Sequence, residues 1–94
     1  MHSGRNRLHI TIYSKPNCQQ CAATKRAFDR LGAPYTVVDI TTDPVALATL
    51  QEAGFRQAPV VFVDSDFWTG YRPDRIRDVA RRLQTVSSAS GVLA

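Results

Sequence analysis

No apolar run in the 94 residues approaches the roughly 20 needed for a helix to span a bilayer, so the chain is expected to stay off the membrane. The first seven residues are polar, carry Arg5 and Arg7, and lead into no apolar stretch long enough for a signal peptide. The cytoplasm is the expected compartment. Cysteine is scarce too: there are two, Cys18 and Cys21. A secreted domain stapled by disulfides normally carries four or more, widely spaced. These two close a loop too short to restrain the unfolded chain much, which argues against a structural bridge. Redox chemistry, half of a metal site or coincidence remain. Histidine is as rare, with only His2 and His9. A zinc site needs four ligands, and a terminal His2 with a strand residue His9 is a poor complement to the pair, so no metal is expected. There is no internal repeat and no room for a second domain.

What is present is ordinary for a soluble globular domain: 44% hydrophobic and 21% charged residues. A chain this short buries about two-thirds of its unfolded surface, so most apolar residues must serve one core. The formal net charge is +4, and ten of the twelve basic residues are arginine. The densest set, Arg75, Arg77, Arg81 and Arg82, is interleaved with Asp74 and Asp78. That pattern is a solvated helix face more than a nucleic-acid footprint, so no nucleic-acid partner is expected. A modest positive field still favours an acidic protein partner.

Leu8 to Tyr13 alternates apolar and polar residues with β-branched ones, which predicts a strand. Ser14 to Asn17 breaks it. From Cys18 to Leu31 the pattern is helical, with Cys21, Thr24, Phe28 and Leu31 on one face. Asn17 is the expected N-cap and Gly32 the stop. A second strand is expected over Tyr35 to Ile40. Thr41-Thr42-Asp43-Pro44 then starts a helix that carries Leu47 and Leu50 inward and ends at Gly54. Pro59 opens the apolar strand Val60 to Val63. A turn at Asp64-Ser65 and a partner strand Asp66 to Thr69 make a hairpin. Pro73 begins a last helix with Ile76, Val79, Ala80 and Leu83 as its stripe. Residues 85–94 are small and serine-rich, expected to form a frayed tail. The expected organisation is a flexible 1–7, a domain over 8–84 and a flexible 85–94. The order is β-α-β, helix, β-hairpin, helix, and the first βαβ is expected to be parallel.

Cys18 and Cys21 stand at i and i+3 at the start of a helix. Their β-carbons then lie about 5–6 Å apart on one side, a small adjustment from the usual disulfide value of about 3.8 Å. The bond can form and open while the fold stays intact. Unpaired N–H groups and the positive helix end favour the Cys18 thiolate, and Lys15 adds positive charge nearby. Cys18, exposed in the first turn, is the expected attacking thiolate. Cys21, one turn in, resolves the mixed disulfide. Gln19 and Gln20 carry no charge and shape access. No cofactor is required by the pair itself.

Ala58-Pro59, ahead of an apolar strand and downstream of C-x-x-C, resembles the cis-proline of thioredoxin-fold proteins. The Ala58 backbone is then expected to offer an edge for an extended substrate peptide. The bland alternative is a proline that merely starts a strand. Trp68 and Tyr71 flank the Gly70 turn beside the final helix. They either pack the hairpin onto that helix or form an exposed docking patch.

Three segments together, Cys18-Gln19-Gln20-Cys21 after Ser14-Lys15-Pro16, Gln57-Ala58-Pro59-Val60, and Trp68-Thr69-Gly70-Tyr71-Arg72-Pro73-Asp74, resemble the NrdH-redoxins. These are glutaredoxin-like in sequence and thioredoxin-like in activity. The similarity spans roughly Leu8 to Leu83. It implies an α/β thioredoxin fold, β-α-β-α-β-β-α, with a four-stranded mixed sheet flanked by three helices. It also implies a monomer that is reduced by NADPH-dependent thioredoxin reductase and donates electrons to the large subunit of class Ib ribonucleotide reductase. NADPH and FAD would belong to the reductase, and this chain would carry no cofactor. Lys15, Gln19, Gln20, Ala58, Pro59, Trp68, Thr69, Gly70, Tyr71 and Arg72 become the expected partner-binding set. The last of these residues fall where glutaredoxins bind glutathione, and Arg72 and Asp74 are expected to hold the neighbouring loops. Two departures stand out: the family usually has serine where Thr69 stands and phenylalanine where Tyr71 stands. A glutathione-dependent glutaredoxin is the near alternative, against which the glutamines between the cysteines count. A redox-sensing binding module is the alternative from another class.

Overall fold

The computed structural model describes residues 8–93, with side chains described through residue 83. The expected N-terminal segment 1–7 lies outside the described residues. Seven elements follow in order: β1 (Ile10–Ser14), α1 (Gln19–Leu31), β2 (Thr36–Asp39), α2 (Pro44–Glu52), β3 (Val60–Val63), β4 (Asp66–Thr69) and α3 (Pro73–Leu93). The sheet runs β2-β1-β3-β4. β1 pairs parallel with β2, as the intervening helix requires, while β1–β3 and β3–β4 are antiparallel. This is the mixed sheet with three helices of the thioredoxin fold.

Period-two alternation sorts the side chains. Ile10, Ile12, Val61, Val63 and Trp68 form one face and close a core with Phe28 from α1 and Ile76 and Val79 from α3. Thr11, Phe62 and Phe67 stand in register on the other face. There Phe62 meets Tyr13, Phe55 and Phe67 in edge-on or tilted ring contacts, with centroids 5.7–6.1 Å apart.

Local chemistry sets the boundaries. Asp43 caps α2 by accepting from the Ala46 N–H at 3.0 Å, with Pro44 in the first turn. Gly32 ends α1 in the left-handed region at φ +68, its N–H donating back to Asp29. Two expectations are corrected. Asn17 is not the N-cap of α1: it adopts φ +58, and the cap is Cys18 itself. The last helix does not stop near Leu83 but runs to Leu93. Beyond Leu83 the sequence has no proline and no glycine before Gly91, so nothing in it interrupts the helical backbone.

A candidate dithiol redox site

The site is assembled at the start of α1. Cys18 and Cys21 are joined as a disulfide, with their Cα atoms 5.2 Å apart, inside the range that unstrained backbones supply. Their surroundings differ. Cys18 is partly exposed, whereas Cys21 is 1% exposed. The Cys21 N–H donates to Cys18 Sγ at 3.1 Å. One of the four N–H groups that a helix start leaves unpaired is therefore satisfied by the sulfur itself. That donor, with the positive end of α1 behind it, favours a thiolate on Cys18 once the disulfide is opened.

The second wall comes from the loop before β3. The Ala58–Pro59 bond is cis, and the Ala58 carbonyl oxygen lies 3.8 Å from Cys18 Sγ. Pro59 is buried, and its carbonyl accepts from the Gly70 N–H at 2.9 Å. The turn after β4 is thus tied to the proline loop. It is tied to the dithiol helix as well: the Tyr71 N–H donates to Gln20 Oε1 at 3.0 Å. Gly70 sits at φ +80, and a Cβ there would lie 3.0 Å from the same Gln20 oxygen. Glycine suits this one point for its backbone angle, and a side chain here would push the Gln20 carboxamide aside.

Of the residues expected from the sequence, the structure gathers Lys15, Cys18, Gln19 and Cys21 around one groove. It places Gln19, Gln20 and Tyr71 around a second. Tyr71 is 38% exposed. Thr69 completes β4 opposite Val60 and is partly buried. Arg72 and Asp74 bond each other in a two-pronged pair at 3.1 and 3.2 Å, both exposed. Its hydrogen bond from Arg72 holds the Asp74 carboxyl below the usual carboxylate range. Trp68 requires a correction. Its ring is 5% exposed, stacks on Phe28 with centroids 6.5 Å apart and lies under the Arg75 guanidinium at 5.4 Å. It is a core residue, and its side chain is withdrawn from the docking surface. The reason is parity: Trp68 stands opposite Val61, on the face covered by α1 and α3.

Sequence reasoning passed over Asn17, Lys25, Arg26, Arg56 and Gln57, all of which line grooves at or beside the dithiol. Arg56 and Gln57 were detectable as the residues directly preceding Ala58-Pro59. Asn17 was expected as a helix cap, and Lys25 and Arg26 lie on the outward face of the helix pattern. Among the described residues no group of three His, Cys, Asp or Glu side chains is placed to hold a metal, and no helix is long and apolar enough to cross a membrane.

The family model described as Glutaredoxin matches residues 10–68. The Glutaredoxin-like protein NrdH of Salmonella typhimurium is 46% identical over 73% of this chain and 85% of that protein. Its namesake in Lactococcus lactis subsp. cremoris is 32% identical over 76% of this chain and 99% of the relative. The chain belongs to the NrdH-redoxins, within the glutaredoxin family. Among solved structures, the NrdH-redoxin of Escherichia coli superposes with a TM-score of 0.73 at 41% identity, covering 74% of this chain and 92% of that one. A buckwheat glutaredoxin bound to glutathione superposes with a TM-score of 0.65 at 27% identity, over 85% of this chain and 80% of its own. The chain is thus a glutaredoxin-like redox protein whose working pair is Cys18 and Cys21.

Proposed function

We propose that the chain is a dithiol reductant that takes electrons from an NADPH-dependent thioredoxin reductase and passes them to a protein disulfide, that of the class Ib ribonucleotide reductase large subunit. One observation carries the reading: the partly exposed Cys18, whose sulfur accepts the Cys21 N–H, is disulfide-bonded to a buried Cys21. The Cys18 thiolate attacks one sulfur of the acceptor disulfide, forming a mixed disulfide and expelling the other acceptor sulfur as a thiolate, which takes up a proton. Cys21 loses its proton and attacks Cys18 Sγ, which breaks the mixed disulfide and frees the second acceptor thiol. Two electrons and two protons have then passed to the acceptor, and this chain is left oxidised. NADPH, through the FAD of the reductase, restores the dithiol. The chain itself holds no cofactor in this scheme and acts as a cytoplasmic monomer.

The source of electrons separates this reading from a glutathione-dependent one. Family resemblance places the glutathione site of glutaredoxins at the segment after β4. Here the Tyr71 N–H is already taken by Gln20, and Arg72 is turned onto Asp74. Those contacts support a preference for a protein reductant. The chain is expected to consume NADPH rapidly with thioredoxin reductase and an insulin-like disulfide acceptor, and slowly with glutathione and glutathione reductase. Efficient turnover in the glutathione system alone would replace this reading with that of a glutaredoxin. The NrdH name of the relatives supports ribonucleotide reductase as acceptor, and its rate with the purified large subunit is the direct measurement.

A further inference from the structure

One groove is lined by the dithiol and two others share lining residues with it, Lys15 in one case and Gln19 and Ala22 in the other, and all three linings share one electrostatic property. Lys15 and Lys25 line the same groove as Cys18, of about 520 Å³. Lys15 and Arg56 frame a smaller one under Ala58, with an apolar floor that includes Leu50 and Phe55. Arg26 and Tyr71 both line the third. Four cations line these surfaces, and no aspartate or glutamate does. None of the four makes an ion pair with a described residue. Lys25 lies near enough to Asp39 to help lower that carboxyl. Arg72, Arg81 and Arg82, outside these grooves, pair with Asp74, Asp78 and Asp66.

We infer that the acceptor presents its disulfide in an acidic segment, with carboxylates on both sides of the reacting cysteines. The inference rests on the reductase reading above and names the chemistry of the partner at the same site. The cations come from the loop before α1, from α1 itself and from the loop before β3, so a segment approaching Cys18 meets positive charge from more than one side. Exposed cations cost little to bring against carboxylates, because neither side is stripped of much water. Their collective effect is on encounter: a surface of one sign raises the association rate of an oppositely charged partner and loses that advantage in salt. The apolar floor beneath Arg56 gives the same segment a place for an aliphatic side chain between its charges.

The test uses two synthetic peptides with the same Cys-x-x-Cys disulfide, one with two glutamates on each side and one with glutamines there. The full chain is reduced, freed of reductant and mixed with each peptide, and the reaction is quenched by alkylation. Each reaction moves one disulfide from peptide to protein, so no other co-reactant enters. The acidic peptide is expected to react about tenfold faster at low ionic strength, with the ratio falling towards one as the Debye length shrinks to about 3 Å in molar salt. Lys15→Gln and Arg56→Gln should each lower the low-salt ratio about two- to threefold. Arg77→Gln, which removes the same charge from the exposed face of α3 outside the grooves, should leave the ratio unchanged. Equal rates for the two peptides at low salt would overturn the inference and leave the reductase reading standing. So would a drop with Arg77→Gln as large as that with Arg56→Gln, which would reduce the effect to net charge. Failure to reduce either peptide would take down the reductase reading, and this inference with it.

Discussion

Cys18 Sγ both accepts the Cys21 N–H that starts α1 and forms the bond that is exchanged. A sulfur in that double position needs the chain to arrive at it from one direction, and Asn17 supplies the direction. At φ +58 Asn17 occupies the left-handed region, which asparagine tolerates and β-branched residues do not. Asn17→Gly should therefore keep both stability and the alkylation rate of reduced Cys18. Asn17→Val should cost about 1–2 kcal/mol and slow alkylation near neutral pH, because the turn must shift and carry the sulfur away from its N–H donor. Equal behaviour of the two variants would show that the turn does not position Cys18. This detail was hidden in the sequence for a physical reason. Asparagine is a preferred N-cap and sulfur a weak acceptor, so propensity points one residue too early. The cysteine pair itself was legible, since its spacing and its place between a strand and a helix are chemical signals that need no tertiary contact.

Between elements, the couplings that matter pass through side chains no periodicity reveals. Proline and glycine punctuate β3 and β4 so clearly that Val60–Val63 and Asp66–Thr69 are found in the structure with the limits read from the sequence. The end of α3 carries no such punctuation, and its extent was missed. Nor does any pattern announce that Gln20 on α1 accepts from Tyr71 after β4, a contact 51 residues apart. The same oxygen would meet a Cβ on Gly70, which allows the contact to be weighed by a double-mutant cycle. Gly70→Ala should cost about 1–2 kcal/mol for its left-handed backbone and about 1 kcal/mol more for displacing the Gln20 carboxamide from the Tyr71 N–H. In a Gln20→Ala background only the first cost remains. Urea denaturation of the four proteins is expected to show a coupling of about 1 kcal/mol. Additivity within about 0.3–0.5 kcal/mol would show instead that the loop and the helix stand independently.

For the molecule as a whole, the parallel β1–β2 unit and the β3–β4 hairpin could be read from sequence, but the antiparallel β1–β3 pairing that joins them could not. Short-range signals do not encode which strand lies beside which. That pairing sets Val61 beside Ile12, and with the hairpin's own Trp68 opposite Val61 it carries Trp68 into the core with Phe28, Ile76 and Val79. A domain of this size has about 5–15 kcal/mol of stability in total, and Trp68→Ala should remove about 3–5 kcal/mol of it. Trp68→Phe is the informative comparison. Trp68 Nε1 is buried and makes no hydrogen bond with a described residue, so phenylalanine gives up ring volume while discarding an unpaired donor that costs about 1–3 kcal/mol to bury. The phenylalanine variant is expected to lose less than half of what alanine loses in thermal and urea melts. Both variants, assayed where they remain folded, should turn over normally with thioredoxin reductase and with the disulfide acceptor. A variant that stays folded yet loses turnover with both protein partners, while still reducing a small disulfide, would return Trp68 to the docking surface.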